Sequence, residues 1–248
     1  MLLNANAATN VLGGTIVTHM NKLIESIDTA NDANDTNQLF IIMEKHINCR
    51  YMLVRNHIAE TLMDYSSKQS FDMLIKLLSD KDRIVRASAC ESLSIYPNIE
   101  TLNILLSVIS NDRSSLVRKY AASSILSILQ KQNQKDTVKT DFFKYGNEKS
   151  IPTRISYFMV LYYLGEEKFL DSILGYINHK NYINRINVIN ALIQILTLQN
   201  HQRIKVAVDE VVKTEESIAV KSSIQELYNN IYALQGDESD SMMDTLPS

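Results

Sequence analysis

Residues 80–93, DKDRIVRASACESL, and residues 112–125, DRSSLVRKYAASSI, follow one pattern. An acid stands six places before an Arg, Val directly before it, Ala three places after it and an aliphatic residue seven places after it. The two frames are Asp80–Val85–Arg86–Ala89–Leu93 and Asp112–Val117–Arg118–Ala121–Ile125. Working outward, the same frame finds Arg55, Arg154, Arg185 and Lys221, so that successive members of the series lie 31, 32, 36, 31 and 36 residues apart. Leu62, Leu161, Leu192 and Tyr228 occupy the position seven places on. Glu148 and Glu215 keep the acid, whereas Cys49 and His179 replace it. A period in the low thirties is the mark of a stacked repeat protein.

Each unit reads as two helices. Phe71, Leu74, Ile75 and Leu78 recur at helical spacing and give a first helix one apolar face. Leu102, Leu105, Leu106 and Ile109 repeat that face, as do Leu170, Ile173, Leu174 and Ile177. Polar turns follow at residues 79–82 (SDKD) and 110–113 (SNDR), carrying the Ser, Asn and Asp that cap helices. The second helix then holds the Arg and buries the residue before it with those three and seven places after. Six Gly and three Pro are few for a β-rich chain of 248 residues.

These frames resemble the HEAT-repeat family, in particular its short bacterial form related to phycobilisome-lyase repeats. Asp80, Val85, Arg86, Ala89 and Leu93 carry the resemblance, with their counterparts from Asp112 to Ile125; Leu164-Gly165 is similar to the Leu-Gly that closes the second helix in that family. The resemblance implies an all-α, right-handed α-solenoid of about six antiparallel helix pairs over residues 38–235. It also implies that Asp80, Arg86, Asp112, Arg118, Glu148, Arg154 and Arg185 form a structural ladder between neighbouring turns. Arg suits such a ladder because its planar fork satisfies several acceptors. At the two departures, Ile58 and Val188 stand where the small residue is expected.

Residues 1–37 form an N-terminal segment whose stretch 15–29 is expected to be a helix capping the open end of the stack. Residues 131–149 are a polar insertion, expected to hold a shortened first helix and a loop. Residues 236–248, GDESDSMMDTLPS, carry four acids and no base and are expected to be a disordered tail.

The net charge is −3, from 25 bases against 28 acids, and gives no general electrostatic reason to approach nucleic acid. Two cysteines, Cys49 and Cys90, about one repeat apart, suit a reduced cytoplasmic protein better than a disulfide framework. The N-terminus lacks a basic region and a continuous apolar stretch, so a secretory signal is not expected. No apolar run approaches the ~20 residues of a membrane span. The metal-protease helix, Cys-x-x-Cys, phosphate-loop and nucleophile-elbow motifs are absent, and the five His show no mutual metal-ligand spacing. No cofactor and no catalytic residue is indicated. Paired His-Glu dipeptides, which would mark the HEAT-like metal hydroxylases, do not occur, and Trp, expected in the helical-repeat DNA glycosylases, is absent.

A partner surface can be placed on a helical wheel. At about 100° per residue, the side of the second helix opposite the core holds positions one, five, eight and nine after the Arg. In the early units these are largely polar: Asn56, Glu60, Met63 and Asp64; Ala87, Glu91, Ser94 and Ile95; Lys119, Ser123, Leu126 and Ser127. In the Arg154 unit they become Ile155, Met159, Tyr162 and Tyr163, and in the Arg185 unit Ile186, Asn190, Ile193 and Gln194. A helix apolar all round must be covered by something. A protein or peptide partner, the insertion, or a second copy would each serve. The expected function is a non-enzymatic adaptor, regulator or inhibitor, monomeric or weakly self-associating, that binds a protein segment on Ile155, Met159, Tyr162, Tyr163, Ile186, Asn190 and Ile193. An accessory lyase or other enzyme on the same stack is the alternative. Nucleic-acid binding is disfavoured, because Lys119 is the one base among the groove positions.

Overall fold

The computed structural model describes residues 3–132, 142 and 147–243. Among them are twelve α-helices and no strand. In chain order they are α1 (Leu3–Asp32), α2 (Thr36–His46), α3 (Met52–Thr61), α4 (Lys68–Leu77), α5 (Arg83–Ser92), α6 (Ile99–Asn111), α7 (Ser115–Gln132), α8 (Ile151–Tyr163), α9 (Lys168–Leu174), α10 (Tyr182–Gln194), α11 (His201–Val212) and α12 (Ile218–Met243). Short 3-10 turns at Leu62–Asp64 and Leu93–Ile95 close α3 and α5. The chain divides into two compact units, residues 1–128 and 129–248.

In the first unit α1 packs on α2 and α3, and α3 and α5 lie side by side with α4 against both. Local chemistry sets the starts. The side chains of Asp35, Ser67, Asp82 and Asn98 accept the backbone N–H of Gln38, Ser70, Ile84 and Thr101, meeting donors that the first turn leaves open. The core is aliphatic: Leu39, Met43, Val54, Ile58, Leu74, Val85, Leu93, Leu102, Val117 and Ile125 are fully or almost fully buried. Ala89 and Ala121 are fully buried as well, as close helix approach requires. Phe40 meets Tyr65 edge-on at 5.6 Å, and one repeat later Phe71 meets Tyr96 at 5.1 Å. Both cysteines are free thiols, Cys90 fully buried and Cys49 partly.

In the second unit α8 packs on α9 and α10, and α12 packs on α10 and α11. Gly165 ends α8 with φ at +96°, a conformation that L side chains rarely adopt. The Glu166 N–H reaches the Leu161 carbonyl at 3.1 Å and the Gly165 N–H that of Tyr162 at 2.9 Å, the paired bonds of a Schellman close.

Two expected segments come out differently. The first helix begins at Leu3, well before residue 15. The last helix runs on to Met243, so residues 236–243 are helical where their composition suggested disorder. Extending an existing helix needs no new nucleus, and the acids there contain no helix breaker besides Gly236. Residues 244–248 lie outside the described residues, as does most of the 131–149 insertion.

Candidate functional site

The repeated Arg is held by two kinds of acceptor. Its Nη1 donates to the carbonyl six residues earlier in its own turn: Arg55 to Cys49 at 2.8 Å, Arg86 to Asp80 at 2.8 Å, Arg118 to Asp112 at 2.8 Å and Arg185 to His179 at 2.7 Å. Its Nε and Nη2 fork the acid of the following turn. Arg55 grips Asp80 at 2.6 and 2.9 Å, Arg86 grips Asp112 at 2.7 and 3.0 Å, and Arg185 grips Glu215 at 2.7 and 2.8 Å. Each acid also accepts the N–H two residues on, from Asp82, Ser114 and Ser217. Burial works to raise the Asp80 and Asp112 carboxyls, but the Arg forks and these N–H bonds outweigh it and hold both below the usual range. The Arg185 fork lowers Glu215 in the same way.

The two departures from the pattern now have physical accounts. Cys49 begins the series, so no earlier ladder Arg requires an acid there. His179 divides the acid's work with a neighbour. Its Nδ1 accepts the Asn181 N–H at 3.0 Å, and Arg154 donates instead to the Tyr176 hydroxyl at 2.9 Å. Arg154 also bonds the Glu148 carbonyl. These groups are occupied in bonds within and between turns.

The aromatic face expected on α8 is largely core. Ile155 and Met159 are 2% and 3% exposed, which removes them from any partner surface. The wheel failed because α8 is covered on more than one side. It packs against both α9 and α10, Phe142 meets Tyr157 edge-on at 6.0 Å, and Phe158 meets Phe169 at 5.2 Å. Tyr162 and Tyr163 are half-buried and tied inward. The Tyr162 hydroxyl accepts Asn200 Nδ2 at 3.0 Å, and that of Tyr163 donates to the Leu129 carbonyl at 3.2 Å. Ile186 and Ile193 are half-buried and Asn190 is exposed. A cavity of about 200 Å³ does open beside Tyr162, Tyr163 and Gln130.

The first unit presents a more open surface on α3, α5 and α7. Two residues before each Arg stand Leu53, Ile84 and Leu116, on the same wheel direction as the positions five places after it. Leu53 is 48% exposed and Ile84 42%, and Leu116 is half-buried. This row was missed because the expected face began at the Arg, whereas α3 begins at Met52 and α5 at Arg83. The exposed Glu60 and Glu91 continue the face along the helices. Between them Ser88 Oγ donates to Asn56 Oδ1 at 2.9 Å, and Asn56 Nδ2 to Glu60 Oε1 at 2.8 Å. The Glu91 carboxyl is raised, first by loss of hydration and then by Glu60, with Lys119 opposing. The Lys119 ammonium is lowered by burial, against Glu91, and Tyr120 is raised by burial and by both acids. The face thus joins apolar area to a set of interacting charges.

Among the described residues no group of three or more His, Cys, Asp and Glu is placed to hold a metal ion, and no helix is long and apolar enough to cross a membrane. No curated protein matches the chain. Residues 45–125, from the end of α2 into α7, match the family model of HEAT repeats, a match that covers the Arg55, Arg86 and Arg118 frames and the face just described.

Proposed function

We propose that the chain is a non-enzymatic, cytoplasmic binding scaffold whose second-helix face in the first unit receives a segment of a partner protein. The exposed row Leu53 and Ile84, repeated at one register in adjacent repeats, carries this reading. Exposed aliphatic side chains in line are a common mark of a protein contact, and a neighbouring rim of Glu60, Glu91 and Lys119 supplies polar selectivity. Adaptor or inhibitor roles both fit, as does the short, lyase-related form of the repeat.

The test compares wild type with the double variant Leu53→Ser and Ile84→Ser. Both positions are open, so thermal melts should be close to one another. Proteins captured by wild type from the native lysate should be absent from the variant's capture when compared by mass spectrometry. Identical captures from two equally stable proteins would remove this face from the function.

A further inference from the structure

The position directly after the ladder acid is also a repeat position. Across the turns it holds Arg50, Lys81, Arg113, Lys149 and Lys180, all exposed, and then Glu216. In the first unit Lys76 and Arg83, both exposed, stand beside this row. The ladder acids do not offset it, since Arg55 forks Asp80 and Arg86 forks Asp112. Asp82, which caps α5 by accepting the Ile84 N–H, is the one other acid in these turns. Lys81 lies in the field of Asp80, but neither it nor Arg83 nor Arg113 forms an ion pair among the described residues. A chain of net charge −3 therefore carries on this edge five exposed bases against one acid outside the ladder.

Clefts separate consecutive turns here. One, of about 530 Å³, is bordered by Asn48, Arg50, Lys76, Ser79 and Lys81. The next, of about 620 Å³, is bordered by Lys81, Arg83, Ile84, Arg113 and Ser115. Lys81 belongs to both, so the two form one run across the repeats. Leu53 and Ile84 lie three residues beyond Arg50 and Lys81, and each base thus has an exposed aliphatic group close by in sequence.

We propose that this turn edge binds an extended, acidic protein segment that carries apolar residues between its acids. It adjoins the second-helix face of the proposed function and shares Leu53 and Ile84 with it, while its bases lie outside that face. Helices pack about 8–10 Å apart, and a chain in the extended polyproline-II form advances about 3.1 Å per residue with every third side chain on one face. An acid at every third position would therefore meet the base of each successive turn. A phosphodiester backbone would match the bases but give Leu53 and Ile84 no apolar partner, and a flat anionic membrane would leave the clefts unfilled.

The probe is a fluorescein-labelled synthetic peptide of four Glu-Leu-Ser repeats, titrated with the full chain and followed by anisotropy. Binding should weaken as salt rises. The double variant Lys81→Glu and Arg113→Glu should weaken it by about tenfold or more, with the milder Lys81→Gln and Arg113→Gln pair as a second arm should reversal disturb the fold. The control variant Ser222→Ala, at an exposed position of α12 given no binding role, should bind as wild type does. A peptide of the same composition with its four Glu in one block should bind less well. Absence of binding by wild type, or equal binding by the edge variants, would overturn the proposal and leave the second-helix reading to its own test. Equal or tighter binding of a twelve-nucleotide single-stranded DNA or of phosphatidylserine vesicles, lost in the same edge variants, would also overturn it, reassigning the edge to that polyanion.

Discussion

Arg154 donates to the Tyr176 hydroxyl at 2.9 Å, 22 residues along the chain, in the role that a carboxylate of the next turn plays for Arg55, Arg86 and Arg185. A neutral phenol replaces an ion, so this rung should be the weakest of the series. Tyr176→Phe is expected to cost about 1 kcal/mol, the net worth of one ordinary hydrogen bond. Urea unfolding checks it, and a variant with the wild-type midpoint would show that the hydroxyl adds nothing to the ladder.

Arg86→Ala should be costlier. It leaves Asp112, whose side chain is 11% exposed, without its fork, and the Asp80 carbonyl without its Nη1 donor. Breaking such a pair from one side costs about 3 kcal/mol. Arg86→Lys should recover only part of this, since an ammonium cannot fork a carboxylate. Equal midpoints for Arg86→Lys and wild type would show that charge alone holds the turn.

The ladder also sets an acid limit. Asp80, Asp112 and Glu215 have folded pKa values below their ordinary 3.8, 3.8 and 4.5. A group with a depressed folded pKa binds its proton more readily when unfolded. Its stabilisation is therefore complete above the unfolded value and is lost as pH falls through the folded one. Melting temperature should drop steadily below about pH 4, and the drop should be shallower in Asp112→Asn, which starts from lower stability but has one linked group fewer. Parallel curves for the two proteins would mean that Asp112 is not part of the acid response.

The ladder was legible because it repeats at fixed offsets, and a local period needs no knowledge of tertiary contacts. The substitute at Tyr176 was not, since nothing in one sequence pairs a Tyr with an Arg 22 residues before it. The α8 face was misplaced for a related reason. A wheel shows which side of a helix is apolar, but Ile155 and Met159 are buried by what packs on that side. The open row Leu53 and Ile84 has the opposite history. Its residues look like core by type, and their 48% and 42% exposure shows that they point away from it.

Gly165 gives a prediction confined to the backbone. An added Cβ would meet nothing within 4 Å, so any cost of Gly165→Ala comes from φ at +96° alone. About 1 kcal/mol is expected. Gly165→Asn, which tolerates positive φ better, should lose less. If the two variants were equally stable, the close of α8 would have shifted to another conformation.

The last prediction separates core from surface on α8 and α10. Met159 is 3% exposed, and Met159→Ser removes a buried thioether chain while introducing a hydroxyl, for an expected loss of about 3 kcal/mol. Tyr162→Phe keeps the ring and deletes the acceptor of Asn200, a 3% exposed amide that retains the Ile195 carbonyl for its Nδ2, so about 1 kcal/mol is expected. Asn190, exposed on α10, should tolerate Ala within about 0.5 kcal/mol. Denaturant midpoints of the three variants give the order directly. If Met159→Ser proved as mild as Asn190→Ala, the side of α8 holding Ile155 and Met159 would be open after all. That side of α8 would then return as a candidate partner surface, to be weighed against Leu53 and Ile84 by the capture comparison of their double variant.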